Sequence, residues 1–182
     1  MIKTIVAAAS AGLALSSVAQ AQPRMANVER DLRSAVLDVC IPAQASDDFA
    51  ATIGERAATE GYYDQPMNRQ SMKVYHVSND DRVLLTPTEE SCTASFVTDD
   101  RTDDVTDKVY AAIAEGAVHR QEIAIKRGKG WVFCHQAEDG FVGSVTLITQ
   151  VYEDAPKLGE RRPTKVRRFL ASVPRTSACQ AG

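Results

Sequence analysis

Four cysteines set the strongest limit on what this chain can become: Cys40, Cys92, Cys134 and Cys179, spread along the sequence with no two of them close. Their chemistry depends on where the chain resides. The opening stretch, MIKTIVAAASAGLALSSVAQAQ, carries one basic residue, Lys3, then an apolar run from Ile5 to about Leu15, then the small-residue signal Ala19-Gln20-Ala21. That pattern predicts a secretory signal peptide over residues 1–21, cleaved after Ala21. It is too short and too alanine-rich for a bilayer span, which needs about 20 apolar residues. The mature chain is therefore expected to carry no transmembrane segment and to reside in a periplasm or outside the cell. In such an oxidising compartment an even number of cysteines reads as two disulfides. Four cysteines permit three pairings. The preferred set joins Cys40 with Cys92 and Cys134 with Cys179, since each pair then closes one half of the chain, at about 4 kcal/mol of stabilisation per loop.

Of the 182 residues, about 160 remain after the leader, which suits one domain or two very small ones. With 44% hydrophobic and 25% charged residues the composition is that of a globular domain. A formal net charge of -3 argues against a nucleic-acid partner.

Periodicity supplies the elements. Val28, Leu32, Ala35, Val36 and Val39 recur at helical spacing, and the helix is expected to end near Cys40 because Pro42 follows. SDDFAATIGERAATEG predicts a second helix, capped by Ser46 or Asp47, with Phe49, Ile53 and Ala57 on one face and Gly61 closing it. MKVYHVSNDDRVLLT predicts a hairpin of Lys73–Val77 and Arg82–Leu85 about an Asn-Asp-Asp turn, and SCTASFVT a third strand. TDDVTDKVYAAIAEG repeats the helical grammar: Thr102 or Asp103 caps, Val105, Val109, Ala112 and Ile113 face inward, and Gly116 terminates. A longer strand set follows: Glu122–Lys126, a Gly-Lys-Gly turn, Trp131–Gln136, a Glu138-Asp139-Gly140 turn, Phe141–Tyr152 and Lys165–Val173. Residues 26–100 and 101–182 are thus two α-then-β halves of similar grammar. The expectation is a single α+β domain over residues 22–182, an antiparallel sheet or sheets with helices packed on one face.

A helix ending in a cysteine, a second helix ending in glycine, a small strand set with the cysteine of SCTASF, and another helix: this arrangement resembles small uncharacterised exported α+β proteins of Gram-negative bacteria. The likeness covers roughly residues 28–115. It implies a Cys40 to Cys92 disulfide and no activity.

GWVFCHQAEDGF places Trp131, Cys134 and His135 within five positions. On a strand, neighbouring side chains point to opposite faces, so Cys134 and His135 cannot reach one metal or one substrate atom together. Trp131, Phe133 and His135 share a face; Val132 and Cys134 share the other. A catalytic thiol must also be reduced and of lowered pKa, so Cys134 reads as one end of a disulfide. Zinc needs three or four ligands, and His76, His119 and His135 fall in separate segments. The run DDRTDDVTD, Asp99 to Asp107, lacks the glycine and glutamate of a calcium loop, and its acids suit the first turn of a helix. No G-x-S-x-G elbow or glycine-rich phosphate loop occurs. Neither a catalytic set, a metal nor a cofactor is expected.

One asymmetry points toward binding. Lys157, Arg161, Arg162, Lys165, Arg167, Arg168 and Arg175 face a single acid, Glu160, between residues 157 and 175. A surface of Arg161, Arg162, Lys165, Arg167 and Arg168 could hold an envelope protein or an anionic envelope component through bidentate arginine contacts. Against this, Arg167 and Arg168 alternate on a strand, and charge on an edge strand also blocks unwanted pairing. The expected role is a binding or accessory module of the cell envelope. The rival is a periplasmic hydrolase whose site is assembled only in three dimensions.

Overall fold

The computed structural model describes residues 23–64, 73–77, 82–99, 102–137, 140–153, 165–177 and 179. The predicted leader, the Asn-Asp-Asp turn, Glu138 and Asp139, and the loop bearing Arg161 and Arg162 lie outside these residues.

Helix α1 (Pro23–Ser34) does not end where a proline should end it. It runs on through a π-helical stretch, Ala35–Cys40, into the short α2 (Ile41–Ala43), with Pro42 inside the continuous helical path. The wider turn is fixed by the Ile41 N–H donating to the Val36 carbonyl, five residues back. Pro42 has no N–H for the Asp38 carbonyl, its partner in an α-helix. Arg56, from the next helix, donates its Nη1 to that carbonyl at 3.2 Å. The helix survives its proline because a distant side chain supplies the missing donor.

Helix α3 (Phe49–Thr59) starts at Asp48, whose carboxylate accepts from the Ala51 N–H at 3.2 Å. The cap is therefore one residue beyond the expected Asp47. Phe49, Ile53 and Ala57 are buried, and Gly61 leaves the helix at φ +76°. Helix α4 (Asp103–Ala114) buries Val105, Val109 and Ile113 and is closed by Gly116 at φ +78°.

Eight strands form one sheet: β1 (Tyr63–Asp64), β2 (Tyr75–His76), β3 (Leu84–Pro87), β4 (Ser91–Thr98), β5 (Ala117–Ile123), β6 (Gly128–Gln136), β7 (Val142–Glu153) and β8 (Lys165–Pro174). Their order is β1-β2-β3-β4-β8-β7-β6-β5, and every neighbouring pair is antiparallel. The first four strands and the last four are each a meander, and the two meanders meet through their final strands, with Ser91 opposite Pro174 and Thr98 opposite Arg167. The chain is an α+β fold dominated by its sheet. β5 starts five residues before the expected Glu122, and the Gly-Lys-Gly segment is the start of β6 instead of a turn.

Alternation along the strands builds the core. Leu85, Cys92, Ala94, Phe96, Phe133, Val145, Leu147, Phe169, Ala171 and Val173 join Val28, Leu32, Val36, Val39, Ile53, Val105, Val109 and Ile113 in one buried cluster. Phe96 and Phe169 stack at 4.6 Å across the central β4–β8 seam, a pairing worth about 0.5–1.5 kcal/mol beyond its buried area. The intervening positions carry hydroxyls, and Thr93 and Ser172 hydrogen-bond across that seam at 3.1 Å.

Candidate functional site

All four cysteines are in disulfides. Cys40, on the π-helical stretch, is bonded to Cys92 of β4, with an S–S distance of 1.98 Å; Cys134 of β6 is bonded to Cys179, at 1.99 Å. The first cross-link fastens the helical segment to the centre of the sheet. The second holds the chain after β8 against β6, where the Ser177 hydroxyl donates to the Val142 carbonyl at 2.7 Å. Cys134 thus has no thiol with which to act. Two disulfides suit an oxidising location outside the cytoplasm, and no described helix is long and apolar enough to cross a membrane.

The predicted basic surface is divided by the fold. Arg168 is exposed, whereas Arg167 is 8% exposed and points to the core side. Its guanidinium donates to the Thr106 hydroxyl and, at 3.1 Å, to the Thr102 carbonyl, with Asp103 at 3.8 Å. Arg167 ties β8 to the start of α4, so it leaves the surface set. Lys165 is exposed and lies 3.8 Å from Glu153 across the β7–β8 ladder. Arg161 and Arg162 lie outside the described residues. The acids of the Asp99–Asp107 run are dispersed in ion pairs: Asp104 meets Lys108 at 2.7 Å, and Asp103 meets Lys129 and Arg167 at 3.8 Å each. Among the described residues no three His, Cys, Asp or Glu side chains are grouped to hold a metal. His76 stacks on Tyr63 at 4.8 Å, and His119 is an exposed residue of β5.

The stronger site is built around His135. It stands on β6 on the same face as Trp131 and Phe133, opposite Gly143 of β7, and is 6% exposed. A hydrogen bond with the backbone of Ile113 engages one ring nitrogen, and no described protein atom bonds the buried Nε2, so the bond to Ile113 uses Nδ1. Burial, reinforced by the nearby Arg33 guanidinium, holds the imidazole pKa below its ordinary value, while the Ile113 bond opposes this. The ring is consequently neutral at physiological pH, with its Nδ1 proton committed and Nε2 left as an acceptor.

His135 forms part of the wall of a cleft of about 700 Å³. Leu37, Ile41, Pro42 and Ala45 from the helical segment and Ala137 after β6 give it an apolar lining. Charge sits at its margins: Arg33, whose Nε is 3.3 Å from Glu115, and Arg56 with Asp38 and Glu60. Arg56 is held there by the same bond to the Asp38 carbonyl that rescues the helix at Pro42. The cleft exists because the helix continues past its proline.

Its floor is secured by Gln44, 7% exposed, whose side chain enters the gap where the β7–β8 ladder stops at Thr146 and Ser172. The Ser144 N–H donates to Gln44 Oε1 at 3.0 Å, and Gln44 Nε2 donates to the Pro174 carbonyl. One side-chain amide replaces a backbone peptide in the sheet. Gly143 is required beside it, since a Cβ there would stand 2.6 Å from Gln44 Oε1 and 2.8 Å from Ile41 Cγ2.

Sequence reasoning treated His135 as a structural histidine and did not single out Gln44, Arg33 or Arg56. No local signal marks them, because their partners lie in other elements. Comparisons with models of protein families, with curated proteins and with solved structures found no match to the chain, so its function is to be read from this geometry.

Proposed function

We propose that the chain is an exported binding module of the bacterial cell envelope, and that its cleft holds a short peptide or another small amphipathic carboxylate. The supporting observation is the buried His135 ring, whose Nε2 no described protein atom satisfies. A buried polar atom without a partner costs about 1–3 kcal/mol. A ligand N–H or O–H that reaches it recovers that cost, which favours binding over an empty cleft. A carboxylate would take the guanidinium of Arg33, and an apolar side chain would lie on Leu37, Ile41 and Pro42. In this reading the helices cover one face of the sheet, and export follows cleavage after Ala21, which N-terminal sequencing of the mature protein would verify.

The test follows the His135 ring protons by NMR while short apolar peptides are added, with free or amidated C-termini. Saturable shifts for the free acids, weakened by amidation and by Arg33→Gln, are expected. No shift at millimolar peptide would defeat the proposal. The same ring favours a second reading, since an imidazole with Nδ1 bound to a carbonyl and Nε2 open is arranged as a general base. The described lining contains no serine, threonine or cysteine to serve as its nucleophile. Product signals appearing during the titration would favour the hydrolase.

A further inference from the structure

The two edges of the sheet are treated differently. At one end β1 is two residues long, the short edge that discourages pairing with other chains. At the other, β5 is seven residues long; His119, Arg120, Gln121 and Glu122 are exposed, and Val118 is 60% exposed. Among the described residues no strand pairs with its outer edge. A bulge between Ala117 and His119 interrupts its start, and the regular stretch that remains, paired residue by residue with β6, is His119 to Ile123. Gln121 is the centre of that stretch.

We propose that β5 is a homodimer edge, on which a second copy of the chain adds its own β5 antiparallel about a two-fold axis through Gln121. A two-fold normal to the sheet keeps each face on its own side, so directly opposed residues must share a face and the axis must fall on a residue. Only a few registers are then open. Centred on Arg120 or Glu122, like charges oppose each other; centred on His119, two histidines do, and Arg120 faces Val118. Centred on Gln121, Arg120 of each copy faces Glu122 of the other. These residues share the face of Phe133 and Trp131, their partners on β6. His119 then faces Ile123 on the other side, and the two Gln121 amides meet on the axis. Opposite charges at directly opposed positions stabilise a strand pair and like charges destabilise it, so this register is selected by sequence as well as by symmetry.

Sedimentation equilibrium of the mature chain up to high-micromolar concentration tests it. The parent is expected to dimerise reversibly. Arg120→Glu or Glu122→Arg turns two attractive pairs into two repulsive ones and weakens the dimer by about tenfold or more. The double variant, Arg120→Glu with Glu122→Arg, restores it. Because both side chains are exposed, thermal unfolding of the three variants should match the parent, apart from any part due to dimerisation. As an independent measurement, Gln121→Cys should form a covalent dimer on oxidation, since opposed Cα atoms in antiparallel strands lie about 4.5–5.5 Å apart, within disulfide range. Val118→Cys, also exposed, should not. A parent that stays monomeric, single variants that dimerise like the parent, or a double variant that fails to recover would overturn the proposal; a monomer that takes up an extended segment of another protein falls under the first of these.

Discussion

Replacing Gln44 with alanine removes one buried side chain and strands two backbone groups. The Ser144 N–H, on a residue 1% exposed, loses its acceptor, and the Pro174 carbonyl loses its donor. Each unsatisfied buried group costs about 1–3 kcal/mol, and the carbonyl, on a half-buried residue, recovers part of its share from water. The expected destabilisation is therefore about 2–4 kcal/mol, a large fraction of the roughly 5–15 kcal/mol that holds a domain together. Urea unfolding followed by far-UV circular dichroism, with disulfides intact, measures it as a lower midpoint at unchanged slope. Amide exchange gives the local readout: protection at Ser144 should fall beyond the loss at other β7 amides. Gln44→Glu keeps the acceptor for Ser144 but turns a carboxylate oxygen toward the Pro174 carbonyl. Its deficit should shrink as the pH is lowered and the carboxylate becomes protonated. A Gln44→Ala variant destabilised by less than about 1 kcal/mol, with Ser144 protection intact, would refute the claim that this amide replaces a peptide in the sheet.

Three further outcomes follow from features described above. Replacing both Cys40 and Cys92 with serine opens a loop of 52 residues and should cost about 4 kcal/mol in denaturant unfolding; the Cys134–Cys179 pair, 45 residues apart, should cost nearly the same. Because burial lowers the folded pKa of His135, the unfolded chain takes up a proton near pH 6.5 that the folded chain refuses, so stability should fall as the pH drops from there toward the folded value, and His135→Gln should flatten this limb. The reverse holds for Tyr62, pushed up to about 12 chiefly by burial: stability should decline from pH 10 upward, and Tyr62→Phe should remove that decline. Finally, a Cβ at Gly128 would stand 1.9 Å from the Thr149 carbonyl oxygen, so Gly128→Ala should destabilise by about 1–3 kcal/mol or shift the β6–β7 register, as a thermal melt and amide exchange would reveal.

What could be read from the sequence depended on how far each residue's partner lay along the chain. Ser91–Thr98 announces itself through its own alternation, and α3 and α4 through helical spacing ended by Gly61 and Gly116. These are local signals. β5 was displaced because Val118 to Glu122 are all exposed, leaving no apolar alternation to mark a strand that is defined by its pairing with β6. Pro42 was expected to stop its helix because Arg56, which takes over the Asp38 carbonyl, belongs to another element. Gln44 pairs with residues 100 and 130 positions away, and no neighbour in the sequence hints at either. For the site, alternation placed His135 beside Trp131 and Phe133, but the cleft depends on the helix running through Pro42, which periodicity did not foresee.

The position of β8 has a consequence for how the protein is made. It is the last strand described, yet it lies in the middle of the sheet, between β4 and β7. Until Lys165–Pro174 has been synthesised and placed, each meander ends in a bare ladder, and both long inner strands offer their backbone groups to any passing chain. Assembly is thus withheld until late, and a break ahead of Lys165 would leave two separate sticky ribbons in place of a slightly shortened protein.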